Sequence, residues 1–99
     1  MTIEIQFVKI TTSETLKQYI EDKIKPLFKK YPWLIKAQVF IKKTNDHTGN
    51  NCMCEVEMSA PGPRLYASSI EKNFEMSVKE TLSDIETQLK KRKQLFTTH

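Results

Sequence analysis

The apolar residues of this chain change period along its length, and each change marks an element. In "TIEIQFV" (2–8), Ile3, Ile5 and Phe7 alternate with Glu4 and Gln6, the period of two that a half-buried strand requires. "TTSETLKQYIEDKIKPLFKKY" (11–31) switches to helical spacing: Leu16, Ile20, Ile24 and Leu27 form a stripe with Tyr19 and Lys23 at its flanks. Ser13 or Thr12 can cap the start, where Glu14 suits the positive end of the helix dipole. Pro26 lacks an amide proton and crowds the preceding turn, so a kink or an early end is expected there. After a break at "YPWL" (31–34), "KAQVFIKK" (36–43) alternates again, with Ala37, Val39 and Ile41 inward and Gln38, Phe40 and Lys42 outward. "TNDHTGN" (44–50) reads as a turn-rich loop. "CMCEVEM" (52–58) is a third strand with Cys52, Cys54, Val56 and Met58 inward. "SAPGP" (59–63) turns the chain into a short fourth strand, "RLYASS" (64–69), with Leu65 and Ala67 inward. A long amphipathic helix closes the pattern: Phe74, Val78, Leu82, Ile85 and Leu89 make its stripe, Asn73 its cap, and its end is expected near Lys93.

The expected order is therefore β-α-β-β-β-α, an α+β fold of two layers. A right-handed crossover makes the first two strands parallel neighbours, and hairpins add the third and fourth antiparallel. Only one face of the four-stranded mixed sheet has apolar alternation in every strand, so both helices must cover that face. The other face carries Glu4, Gln6, Glu55 and Glu57 and is expected to be mostly wet. Ninety-nine residues suffice for one core, and a single domain over residues 1–99 is expected.

Composition adds limits. With two Gly and four Pro the chain does not resemble a disordered one. No apolar run approaches the roughly 20 residues of a membrane span, and the N-terminus alternates rather than forming an apolar signal core. A cytoplasmic protein is expected. Cys52 and Cys54 would share one strand face, too close along one chain for an ordinary disulfide, and read as small apolar core residues. Neither they nor His47 and His99 match a zinc spacing, and no metal or other cofactor is expected.

Catalysis finds no support in these residues. The acids are scattered, the thiols belong to the expected core, and neither histidine is placed by sequence to serve them as a base. "APGP" cannot cradle a phosphate, because one glycine does not supply a nest of backbone donors.

Charge changes the picture more. The net charge is +4, but residues 1–43 hold nine Lys against four acids, residues 44–89 hold three basic residues against eight acids, and "KKRK" (90–93) adds four positive charges. Such asymmetry points to an anionic partner met by one side of the molecule. A helix dipole accounts for one or two cations at its C-terminus, not four in a row. On the first helix Lys25 and Lys29 lie opposite the apolar stripe, while Lys17 and Lys23 flank it. On the second, Lys90 and Lys91 face outward, Lys93 lies at the edge, and Arg92 falls in line with Phe74 beyond the core, where a long side chain can still reach out. Two basic strips on adjacent helices suit the phosphates of a folded RNA, held by charge and shape rather than base sequence. Two alternatives use the open sheet face, where Phe40, Met53 and Tyr66 could stack single-stranded bases or form a protein interface.

The segments "TSETLKQYIEDKI" and "LYASSIEKNFEMSVKETLSDIETQLKKRK" resemble the bacterial ribosome hibernation factors and ribosome-associated inhibitors, formerly known as sigma-factor modulation proteins. The resemblance runs from Ile3 to about Lys93 and includes Ser13, Glu14 and Leu16 at the helix start, Tyr19 and Lys23, the strand residues Leu65, Ala67 and Ser68, and the closing "QLKK". It implies the same β-α-β-β-β-α fold and binding to the small ribosomal subunit and its ribosomal RNA, in the channel where messenger and transfer RNA sit. Occupancy there blocks translation and stores ribosomes under stress. No enzyme activity and no DNA or membrane partner are expected, and the protein is expected to be a monomer off the ribosome. Long members add a C-terminal dimerisation domain, and this sequence resembles the short type. Lys17, Lys23, Lys25, Lys29, Lys90, Lys91, Arg92 and Lys93 are the candidate RNA contacts. Two positions usually basic in the family are Asp84 and Thr87 here, and Pro26 replaces a residue that is often charged. Losing two contacts would weaken binding and flatten its salt dependence, unless Lys90, Arg92 and Lys93 take over the task.

Overall fold

A computed structural model describes residues 2–45 and 49–97. The elements are β1 (Thr2–Phe7), α1 (Glu14–Lys30), β2 (Lys36–Lys43), β3 (Cys52–Ser59), β4 (Leu65–Glu71) and α2 (Phe74–Thr97). The strands lie in the order β1-β2-β3-β4, with β1 parallel to β2 and the later pairs antiparallel. Register aligns Ile5, Val39, Val56 and Ala67 in one row across the covered face. The row beside it on the open face is Glu4, Gln38, Glu57 and Tyr66. Because β4 runs in the same direction as β1 and each helix returns against the strand before it, α1 and α2 run parallel to one another.

Both helices share one core with the sheet. Ile20 and Ile24 of α1, Val39, Ile41, Cys54 and Val56 of the sheet, and Val78, Ile85 and Leu89 of α2 are all at most 1% exposed. Each large aliphatic side chain buried there contributes about 1.5–3 kcal/mol by leaving water. That burial explains how α1 passes Pro26 without ending early. Pro26 is on the exposed side, where the Asp22 carbonyl it leaves unbonded can meet water, while Leu27 and Phe28 just beyond it are buried. The helix continues to Lys30, and the Tyr31 amide donates to the Leu27 carbonyl at 2.8 Å.

Ser13 is the N-cap of α1, its Oγ accepting from the Leu16 amide at 3.2 Å. Asn73 caps α2 in the same way, Oδ1 accepting from the Met76 amide at 2.9 Å. Two polar residues in the buried face of α2 were invisible to the apolar pattern. Ser77 and Thr81 are fully buried. The Ser77 hydroxyl donates to the Cys52 carbonyl, and Thr81 Oγ1 lies 3.2 Å from the Cys54 carbonyl and 2.7 Å from that of Ser77. They tie α2 to the central strand β3. The end of α2 also departs from expectation: the helix runs past Lys93 to Thr97, because Phe96 meets the Trp33 ring edge-on at 5.0 Å.

Candidate nucleic-acid interface

The parallel helices meet along a groove of about 250 Å³ lined by Lys23 and Leu27 of α1 and by Lys79, Leu82, Ser83 and Glu86 of α2. Leu27 and Leu82 form its apolar floor, and both are buried. Lys23 also lies over the Tyr19 ring at 5.4 Å, which steers its ammonium group. At the end of α1 the groove closes with an ion pair, Lys30 Nζ to Glu86 Oε2 at 2.8 Å. The hydrogen bond from Lys30 is the main cause that holds the Glu86 carboxyl below its ordinary pKa, with Lys90 adding a smaller pull. The same bond raises the pKa of Lys30. The acid at the groove is thus neutralised from both sides.

Of the candidate cations Lys23 lines this groove, and helical geometry places the others at different distances from it. Lys79, Ser83, Glu86 and Lys90 follow one another at spacings of four, three and four on the side of α2 that faces α1. Lys91 is about 100° further round and exposed. On α1, Lys25 and Lys29 are exposed on the outer surface, and Lys25 lies 4.0 Å from Glu21. Lys17 is rotated about 120° from Lys23, so it lies on the other flank of the buried stripe, away from the groove. Lys93 is exposed near the end of α2. Arg92 has a different occupation: Nη1 donates to the Pro61 carbonyl and Nη2 to the Pro63 carbonyl, each at 2.8 Å. Its planar fork is directed at the β3–β4 turn. Asp84 and Thr87, at the two positions where the resemblance implies basic residues, are both exposed, and the Thr87 hydroxyl donates back to the Ser83 carbonyl at 3.2 Å.

Two residues escaped the sequence reading: Lys79, which lines the groove, and Lys30, which pairs with the lining residue Glu86. Lys79 sits in the stretch that is acidic overall, so summed charge hid it. Its spacing of eleven from Lys90 was the available signal, since eleven residues are close to three full turns.

The open sheet face carries its charge in pairs. Glu4 meets Lys36 at 2.6 Å, Glu55 meets Lys42 at 2.6 Å and Glu57 meets Arg64 at 2.7 Å. The Tyr66 hydroxyl donates to Glu55 at 2.6 Å, and Phe40 and Met53 are half-buried. The hydrogen bond from Lys42, followed by that from Tyr66, keeps the Glu55 carboxyl below its ordinary pKa. Cys52 and Cys54 are free and buried beneath this face, and burial pushes the Cys54 thiol up to about 12, which leaves it a protonated core residue. Among the described residues no group of three or more His, Cys, Asp or Glu could hold a metal, and no helix is long and apolar enough to cross a membrane. His47 and His99 lie outside the described residues.

Comparison with known proteins decides the family. The model for "Sigma 54 modulation protein / S30EA ribosomal protein" matches residues 3–95. The chain belongs to this family. Among solved structures it is similar to a ribosomal subunit interface protein from Coxiella burnetii, at a TM-score of 0.83 and 17% identity, covering 94% of this chain and 98% of that one. It is also similar to the N-terminal domain of Thermus thermophilus Protein Y, at a TM-score of 0.77 and 17% identity, covering 92% and 98%. At that identity the likeness speaks for the fold: two S30EA-type helices on one face of a mixed four-stranded sheet. No curated protein sequence matches.

Proposed function

We propose that this S30EA-family protein is a cytoplasmic, ribosome-binding translation inhibitor that docks its helical layer on the ribosomal RNA of the small subunit. It acts as a monomer and without catalysis, occupying the channel used by messenger and transfer RNA and holding ribosomes idle under stress. The observation that carries this reading is that Lys23 and Lys79 line the groove between the helices from opposite sides, with Lys90 one turn beyond Glu86 on α2 and Lys25, Lys29 and Lys91 exposed outside it. The one acid lining that groove, Glu86, is neutralised by Lys30, so its walls present net positive charge. Parallel helices hold such cations at fixed spacing, as recognition of a phosphate backbone by shape demands.

The test is sedimentation with purified ribosomes through sucrose over a salt series. Wild type should pellet with small subunits at low salt and be released as salt rises. Reversing Lys91 and Lys93 to Glu should weaken pelleting, and unchanged binding of that variant would remove the helical layer as the interface.

A further inference from the structure

Among the residues whose burial is described, Leu89 is the last buried one of α2, yet the helix continues to Thr97. Its final two turns carry Lys90 and Lys91 while overhanging the core, and Leu95 there is 71% exposed. A helix end with so little burial ordinarily frays. Among the contacts that hold this one, two lie on different sides of it. Phe96 packs edge-on against Trp33, which in turn meets Tyr31 at 5.6 Å. Arg92 reaches to the β3–β4 turn and donates to the carbonyls on both sides of Gly62. The turn is shaped for that fork. Gly62 has φ +96, a conformation that L side chains rarely adopt, and a Cβ there would lie 3.1 Å from Arg92 Nη1. Pro61 and Pro63 restrict the backbone on either side of it.

We propose that Arg92 is a positioning residue rather than a phosphate ligand. It clasps the β3–β4 turn and thereby fixes the overhanging end of α2, so that Lys90 and Lys91 are held at their working spacing before RNA arrives. The inference rests on the RNA-binding reading of the helical layer. A phosphate ligand contributes a released counterion, whereas a clasp contributes only order, and salt dependence separates the two. Lysine cannot replace the clasp, because an ammonium group lacks the planar fork that spans two carbonyls.

The experiment measures binding to purified small subunits over a salt series for wild type, Arg92→Gln, Arg92→Lys, Gly62→Ala and Lys91→Gln, with amide hydrogen exchange on each free protein. Arg92→Gln, Arg92→Lys and Gly62→Ala should each bind about tenfold more weakly, the cost of ordering roughly one frayed residue. Their salt slopes should equal that of wild type, while Lys91→Gln should lower the slope by about 0.9. Exchange should accelerate in residues 90–97 of the three clasp variants and stay unchanged in β3. If Arg92→Gln lowers the slope as Lys91→Gln does, with Arg92→Lys and Gly62→Ala binding like wild type, Arg92 is a phosphate ligand and the clasp is overturned. A wild type that fails to bind overturns the parent reading as well, and the two failures are told apart by that first measurement.

Discussion

On the open face of the sheet, Glu4, Glu55 and Glu57 each meet a cation at 2.6, 2.6 and 2.7 Å, whereas on the helical side Lys29, Lys79 and Lys91 have no acid paired with them among the described residues. The two surfaces contain the same kinds of side chain. They differ in where the counter-charge comes from. Pairing within the fold quenches the far field of the sheet face, and exposed pairs of this kind add little stability. The helical side has pairs of its own, Lys25 with Glu21 and Lys30 with Glu86, but leaves Lys29, Lys79 and Lys91 outside them, so part of its positive field remains for an outside polyanion to meet. The lesson is that net charge is a poor guide to an interface. The acidic middle of the sequence splits between the two surfaces, and it contributes Lys79 to the basic one.

The largest effect should come from inverting the contrast. Replacing Lys23 and Lys79 by Glu puts two acids into the groove and should weaken ribosome binding about 100-fold, roughly tenfold per contact removed, with melting temperature little changed. Binding curves at fixed salt beside a thermal melt check both halves.

Next in size is a test of what aligns the two layers. Thr81→Val removes a buried hydroxyl that bridges α2 to β3 and leaves the Cys54 carbonyl without that partner. The expected loss is about 1–3 kcal/mol, read as a lower urea midpoint at unchanged m-value. No change in midpoint would mean that apolar packing alone aligns the helix on the sheet.

A smaller effect separates the faces by pH. The folded pKa of Glu55 lies below its ordinary value of 4.5, so its stabilising contribution is fully present above that pH and is lost as pH falls through the lowered folded value. Glu4 and Glu86 share the sign. Urea midpoints taken from pH 7 to pH 3 should fall below about pH 4.5. Glu55→Gln should lose part of that fall while still binding ribosomes as wild type does.

The smallest effect tests the open face itself. Stacked bases there would make Phe40→Ala and Tyr66→Ala each cost about 1–3 kcal/mol of RNA affinity. The pairing of its charges predicts instead a change within about twofold, no more than a surface substitution away from an interface gives. A loss at these positions with none at Lys23 and Lys79 would exchange the roles of the two surfaces.

Most of the fold was legible because period decides face. Ile3, Ala37, Cys54 and Leu65 all fell on the covered side from alternation alone, and parallel pairing of β1 and β2 followed from the crossover. What escaped were features set by partners distant in sequence. At Pro26, where a kink or an early end was expected, the helix does not end, because Leu27 and Phe28 beyond it are buried, and α2 gained four residues beyond Lys93 from a tryptophan sixty-three positions before Phe96. Ser77 and Thr81 interrupt the apolar stripe because β3 carbonyls lie opposite them, which no local pattern encodes. The candidate interface was half legible: helical spacing placed Lys25, Lys29 and Lys91 outward, but the groove, the Lys30–Glu86 pair and the Arg92 fork need the packed helices.

The most direct test of the central claim is the salt dependence of binding to purified small subunits. If unpaired cations of the helical layer hold the RNA by its phosphates, the logarithm of the association constant should fall linearly with the logarithm of salt, with a slope near −4 or steeper at about 0.9 per contact, and Lys23→Gln and Lys79→Gln should each flatten it by about one contact. A slope flatter than about −1, or one that those substitutions leave unchanged, would contradict the account.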